Sequence, residues 1–388
     1  MQKSPPVFFD FQTSTPLLPG VMEVMRPYFS EHFAASGSVH AAGCRVREAL
    51  KEARRRVGEF VGASDPFEEI VFTSGGTEAV NLAIAGSIRA RGRGVHILCT
   101  GGDSPAVSRT VEALCREGCS VSRVPVDGKG FVLADRLGEL CRAETALICT
   151  HLVNADVGTL QRIGPLASLA RERKIPLFVD AIAGAGWVEL EVEKRGIDLL
   201  AFSPHRFYGP KGAGVLYRRR TVSLEPILRG GMQEMGLRAG TENIPALVGA
   251  GEACRLARAQ FEERVGMVRT RQGRLWEKIR GIPGLILNGP EPGPDRSPVT
   301  LHVTLPGVEN EYLVLKCDQM GLQIAGATGC VSPSARIPES LEAIGLSPEA
   351  ARCSVMLGVG LPTTEEDVDR GAALFAAAVE KLRMAQQN

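Results

Sequence analysis

The chain lacks an excess of either charge. Forty-five lysines and arginines meet forty-four aspartates and glutamates, for a net charge of +1. No whole-molecule field therefore draws it to nucleic acid or to an anionic membrane. It also lacks any run of about 18 apolar residues, and Met1–Pro6 is polar and proline-rich, without the apolar stretch of a secretory leader. These absences imply a cytoplasmic chain with neither nucleic-acid nor membrane partners. Ten cysteines occur without a C-x-x-C pair or the Cys/His spacing of a zinc site. Most lie in apolar strand or helix patterns, as buried thiols do. Lysine is scarce as well, with nine in 388 residues.

What is present is a chain that is 44% apolar, long enough for one large core and a second, smaller one. The arginine runs Arg54–Arg56 and Arg218–Arg220 read as solvated faces or element ends rather than as a phosphate patch. Strands are expected at Glu69–Thr73, Val95–Thr100, Val121–Val124, Ala146–Val153 and Pro176–Asp180. Helices are expected at Val39–Phe60, Ala79–Arg91, Ala106–Arg116 and Pro165–Arg173. Such alternation predicts a mostly parallel sheet flanked by helices, with ligands at the carboxyl ends of its strands. A long helix over Ile244–Arg280, a Pro- and Gly-rich loop over Gly289–Pro298, a strand over Val299–Leu305 and a helix over Glu311–Met320 follow. Thr363-x-x-Glu366 reads as the capping box of a last helix.

Within this frame the stretch Ala201–Tyr217 is the most informative. Apolar runs at Ile197–Phe202 and Gly214–Tyr217 enclose a Ser-Pro-His-Arg turn and a Gly-Pro-Lys-Gly loop, a hairpin expected to present polar groups at a sheet edge. The strand–turn–helix at Ser74-Gly75-Gly76-Thr77-Glu78 places backbone amides and a helix dipole where an anion could sit. Asp180 closes the apolar run Leu177–Val179 at a strand end.

Together these segments resemble the cysteine desulfurases, the NifS/IscS-like branch of the class-V aminotransferases, which are fold-type I enzymes using pyridoxal phosphate (PLP). Ser203, His205, Gly209, Pro210, Lys211 and Gly212 match the family pattern Ser-x-His-Lys-x-x-Gly-Pro-Lys-Gly, and Arg229–Asn243 matches a family segment at the dimer interface. The resemblance implies a fold-type I α/β fold. A large domain with a mostly parallel seven-stranded sheet would span 14–255, and a smaller α+β domain would combine 1–13 with 256–388. It also implies a homodimer. Gly76, Thr77 and Ser203 would cradle the cofactor phosphate, Thr241 would reach the partner subunit's site, Asp180 would pair with the pyridine nitrogen, and His205 would lie at the cofactor.

Several positions depart from the family pattern. Arg206 stands where the lysine forms the cofactor imine, Ser104 where a histidine stacks on the ring, and Ala155 and Ala183 where polar groups meet it. Phe33–Gly37 replaces a Gly-Asn-Pro-Ser-Ser-like loop. The arginine that binds the substrate carboxylate falls on Met356 by an ungapped count, or on Arg352 with a local shift. An imine needs an amine lone pair, and a guanidinium, protonated to above about pH 12, has none to offer. Each lost polar contact costs about 1 kcal/mol more. PLP is therefore expected to be weak, non-covalent or absent. Cys330, in the small-residue loop A-G-A-T-G-C, fits the family's sulfur-carrying cysteine.

Three readings follow. The first is a dimeric partner in sulfur transfer or iron–sulfur cluster assembly, docking a scaffold or sulfur-acceptor protein, with Cys330 as persulfide carrier or cluster ligand. The second is an active desulfurase using unattached PLP, with His205 as substitute base. The third is a PLP-free protein that binds an anion at Arg206.

Overall fold

A computed structural model describes residues 5–92, 94–327 and 337–387. Cys330, expected to carry sulfur, lies outside them. Twelve strands form among the described residues: β1 (Val7–Phe9), β2 (Ile70–Thr73), β3 (His96–Thr100), β4 (Ser120–Val124), β5 (Thr145–His151), β6 (Leu177–Asp180), β7 (Leu199–Phe202), β8 (Gly214–Arg218), β9 (Ile286–Asn288), β10 (Thr300–Thr304), β11 (Leu322–Gly326) and β12 (Ser354–Gly358). They assemble into a seven-stranded sheet of order β2-β8-β7-β6-β5-β3-β4 and a five-stranded sheet of order β1-β11-β12-β10-β9.

In the larger sheet only β8 runs against its neighbours; the pairs from β7 through to β4 are all parallel. Strands β3, β5, β6 and β7 are buried along their whole length. Apolar clusters cover both faces of the sheet, which is why these strands read as unbroken apolar runs instead of alternating ones. The architecture is the mixed α/β, mostly parallel arrangement expected from the sequence.

The sheet order fixes where the functional segments go. Thr73, Thr100, His151, Asp180 and Phe202 end strands that point the same way, and β8 begins beside them because it is antiparallel. The segments after Thr73, Thr100, Asp180 and Phe202 therefore meet at one edge of the sheet. This corrects one expectation: the β7–β8 hairpin lies inside the sheet, and β2 covers its outer side. Gly214 makes that cover possible, since a Cβ there would lie 2.2 Å from the Gly75 carbonyl carbon.

Two further expectations change. The long helix divides at Gln260 into Ile244–Ala259 and Phe261–Ile279. The last helix is capped one residue later than expected, by Thr364 and Asp367, each of which accepts the other's backbone N–H at 3.0 Å. No helix among the described residues is long and apolar enough to cross a membrane. Of the nine described cysteines, Cys99, Cys149, Cys254 and Cys317 are buried, and the rest are partly exposed.

A buried ion pair ties the segment 229–243 to the larger sheet. Arg54, on the helix Ala41–Val61, meets Glu234 through two bonds of 2.5 and 2.8 Å. Glu234 also accepts the Phe72 amide at 2.7 Å, and Arg54 donates to the Ile70 carbonyl and lies over the Phe72 ring. Glu234 and Met235 both take left-handed backbone angles, φ 49° and 60°, to make this contact. Removing one buried partner strands the other's charge. Glu234→Ala should therefore destabilise the fold by about 3–5 kcal/mol, read as a lowered urea midpoint. The double change Arg54→Met, Glu234→Leu should recover most of that loss.

Candidate active site

The turn after β7 is held by its own backbone and by the N-terminal segment. The Arg206 amide bonds the Ser203 carbonyl (3.3 Å), and the Phe207 and Gly209 amides bond that of Pro204 (3.0 and 2.9 Å). Thr15 gives both its amide and its hydroxyl to the His205 carbonyl, at 3.0 and 2.9 Å, and its hydroxyl accepts the Tyr208 amide at 2.6 Å. Trp187 Nε1 donates to the Arg206 carbonyl at 3.2 Å. Tyr208, at φ 71°, accepts the Leu361 amide beyond β12 on its hydroxyl oxygen, at 2.6 Å. These bonds fix the backbone of the turn 203–209 relative to both sheets.

His205 is kept neutral. Its Nδ1 lies 2.8 Å from Ser203 Oγ, and that hydroxyl also donates to the Ala213 carbonyl at 3.1 Å. A hydroxyl has one proton, so with it on the carbonyl Nδ1 must carry its own and Nε2 holds the lone pair. Burial, then the charges of Arg206 and Lys211, push the imidazole down to about 4.

Arg206 points away from any role as an amine. Its Nη1 donates to the Gln12 carbonyl, and its charge acts on the carboxylates of Asp10 and Asp156. Gln12 in turn gives its side-chain amide to Asp10 at 2.9 Å. Asp156 follows an Asn154 turn in which Asn154 Oδ1 accepts the amides of Asp156 and Val157 at 3.1 and 3.0 Å. Asp156 also accepts the Ser340 hydroxyl. Burial raises both acids, and the guanidinium opposes that rise.

Asp180 is buried at the end of β6 with both oxygens engaged. Oδ2 accepts the Ser104 hydroxyl at 2.7 Å, and Oδ1 accepts the Ile182 amide at 2.9 Å. Burial raises its pKa, against these two bonds. The amides that open the helix Gly76–Arg91 lack intrahelical partners by geometry, so Gly76 and Thr77 could still face an anion. Two features crowd that cup. Ile182 packs on the bare flank of Gly76, where a Cβ would lie 2.6 Å from its Cδ1. The Glu78 carboxylate turns back onto the Ser74 amide (2.8 Å) and hydroxyl, with Arg238 Nε 3.0 Å from its other oxygen.

The side chains present do not fit a covalently held pyridoxal phosphate. No amine stands at position 206, no ring at 104, and the acid that would face the pyridine nitrogen already accepts two internal bonds. Thr241 is exposed, ahead of the helix Ile244–Ala259. Met356 is buried within β12, opposite His302 of β10, whereas Arg352 is exposed. Sequence reasoning missed Gln12, Asp156, Ile182 and Ser340 as parts of this site. Asp156 lies next to Ala155, a position the sequence had marked.

The aminotransferase class-V family matches residues 7–370. The chain is 36% identical over 378 residues to a cysteine desulfurase, IscS 1, of Archaeoglobus fulgidus, covering 97% of each chain. It is 37% identical over 378 residues to the cysteine desulfurase IscS of Methanosarcina thermophila, covering 97% of this chain and 93% of that one. The solved structure of a NifS-like protein superposes with a TM-score of 0.90 at 28% identity, covering 97% of this chain and all of the other.

The neutral His205 sets a pH dependence. An unfolded histidine titrates near 6.5 and the folded one near 4. Between those values the unfolded chain binds a proton that the folded chain does not, so stability is full above pH 6.5 and falls as pH drops through the window. His302, also pushed down to about 4 by burial, adds the same trend. The test is therefore a difference: the loss of urea midpoint from pH 7 to pH 5 should be smaller in His205→Asn than in the wild type.

Proposed function

The chain belongs to the class-V aminotransferase family, and within it we propose a role in sulfur transfer, of the kind that feeds iron–sulfur cluster assembly, without ordinary cofactor-dependent desulfuration. The observation that carries this reading is Arg206: at the position the family gives to the imine lysine stands a guanidinium that donates to the Gln12 carbonyl. The relatives named cysteine desulfurases supply the sulfur chemistry. On this reading PLP is weakly held, unattached or absent, 14–255 form the large domain, and 1–13 with 256–388 form the small one.

Cys330 then carries sulfur that another protein or small molecule has already activated. Its thiolate attacks the outer sulfur of a persulfide R–S–SH; a new S–S bond forms as the old one breaks, and R–S⁻ leaves. The same exchange passes the outer sulfur on to an acceptor thiolate. No oxidant is consumed. A cluster held by a scaffold protein is the other use for that thiolate.

The active form is a homodimer. Support comes from the loops 33–39 and 228–243, joined by Ser36 Oγ to Glu242 Oε1 at 3.0 Å. They hold Phe33, Val39 and Met232 at 79%, 92% and 81% exposure, a cost in water that a second copy would relieve. Thr241 would reach the partner's site from this surface.

A second reading rests on His205, whose neutral imidazole offers a base at a position the family places beside the cofactor. In it the protein desulfurates cysteine with PLP held without an imine. The third, an anion at Arg206, has less support, because Asp10 and Asp156 already supply negative charge there.

One experiment separates the first two. The protein is incubated with excess PLP, its absorption spectrum recorded, and the sample reduced with borohydride and mapped by mass spectrometry. No reduced adduct on any lysine and no alanine formed from cysteine are expected. In a parallel sample glutathione persulfide should add one sulfur to the Cys330 peptide, and Cys330→Ser should abolish that transfer. Alanine production from cysteine would sink the first reading in favour of the second, and transfer unaffected by Cys330→Ser would sink the role of Cys330.

A further inference from the structure

Among the described residues, Arg296 is the largest side chain that the fold buries completely, with 1% of its surface exposed. It lies in the Pro- and Gly-rich loop 289–298 between β9 and β10. A buried guanidinium is costly unless its charge is paired. Arg296 forms no ion pair among the described residues, although the Glu291 charge acts on it. Its fork goes to backbone carbonyls instead: Nε donates to Pro290, Nη1 to Thr300 at 3.0 Å, and Nη2 to Asn288. Gln272, equally buried on the helix Phe261–Ile279, gives its side-chain amide to the carbonyls of Ser297 and Thr300, at 2.8 and 3.1 Å. The loop is thus gathered from within at both of its ends.

Held in this shape, the loop meets the turn after β5 by backbone bonds. Thr159 and Arg296 form an antiparallel bridge. The Leu160 amide donates to the Asp295 carbonyl at 3.0 Å, and the Ser297 amide to that of Gly158 at 2.8 Å. Two glycines allow the approach. A Cβ on Gly158 would lie 3.3 Å from the Thr300 carbonyl oxygen, and one on Gly289 would lie 2.8 Å from that of Val157. These contacts cross between the sheets, since the loop belongs to the five-stranded one and the turn to the cleft edge of the other. From the turn, Asn154 Nδ2 donates to the Gly102 carbonyl at 3.2 Å. Two residues further on stands Ser104, whose hydroxyl lies on Asp180.

We propose that Arg296 is the core of a clamp between the two sheets: by collecting the carbonyls of Asn288, Pro290 and Thr300, it gives the loop 289–298 the shape that hydrogen-bonds the turn Asn154–Leu160 and holds that side of the cleft. Three carbonyls converging on one group call for a planar fork of N–H donors, which an ammonium does not offer. The clamp gives a use to a buried cation that lacks a paired acid. It acts whether or not sulfur is transferred.

The test is native-state amide hydrogen exchange on the full chain without added cofactor. The bonded amides of Asn154, Gly158 and Leu160 report the turn, and that of Ser297 reports the loop. Amides of the β7–β8 pairing serve as the control. Arg296→Met should speed exchange in the turn and the loop by about tenfold or more, the size expected for losing charged hydrogen bonds, and leave the control unchanged. Arg296→Lys should speed the same amides, because it keeps the charge and loses the fork. Gln272→Met, which keeps the buried shape and removes two bonds, should speed Ser297 and Leu160 by a smaller factor, about fivefold. A faster Ser297 with an unchanged turn, wild-type protection in Arg296→Lys, or a uniform rise that includes the control would each overturn the clamp. Should Arg296→Met fail to fold, Gln272→Met carries the same comparison, and an unchanged Leu160 amide in it would overturn the coupling.

Discussion

A guanidinium keeps its proton at every pH at which this chain folds, so position 206 carries a permanent cation where an amine would exchange its proton and its bond. That single constraint orders the cleft. A fixed cation among partly buried groups needs acceptors, and it finds the Gln12 carbonyl and the fields of Asp10 and Asp156. Burial raises both acids, and the guanidinium acts against that rise after the hydrogen bonds from Thr13 and Ser340. Imine chemistry is closed at this position by the same charge that stabilises the surroundings.

Around that constraint the framework is intact. The turn 203–209 is tied to Thr15, to Trp187 and through Tyr208 to Leu361, by backbone groups and neighbours that do not involve the side chain at 206. A sheet edge that gathers six strand ends, a glycine at 214 allowing β8 to pass Gly75, and a buried ion pair holding 229–243 are features of the scaffold. They persist whatever chemistry the cleft performs. This separation explains how a chain can keep a TM-score of 0.90 to a NifS-like protein while carrying an arginine at position 206.

Much of the fold was legible because its signals are local. Buried parallel strands give apolar runs such as Leu177–Val179, and a glycine-rich turn before a helix marks Ser74–Glu78. The break at Gln260 was hidden because neither glycine nor proline marks it, and the cap slid from Thr363 to Thr364 because both sites offer a threonine three residues before an acid. The sheet position of β8 was misread, because which strand covers a hairpin is decided by long-range pairing and not by the hairpin. In the site, sequence could mark the absent lysine at Arg206 but not its new partners. Gln12 lies 194 residues away, and Ser340 meets Asp156 across 184.

Asp180 illustrates the same limit in chemical terms. As a strand-end acid it matches the residue that would keep a pyridine nitrogen protonated, and its identity alone cannot say whether it is available. Ser104, standing where a stacking ring would be, turns its hydroxyl onto one carboxylate oxygen, and the Ile182 amide takes the other. A substitution that removes a ring thereby also supplies a bond to the acid the ring would have covered, which lowers the penalty for burying that acid without a cofactor. Asp10 and Asp156 likewise accept from Gln12 Nε2 and from the Ser340 hydroxyl. In both cases an acid at the cleft finds partners within the chain, so its identity alone carries no information about whether a cofactor is bound.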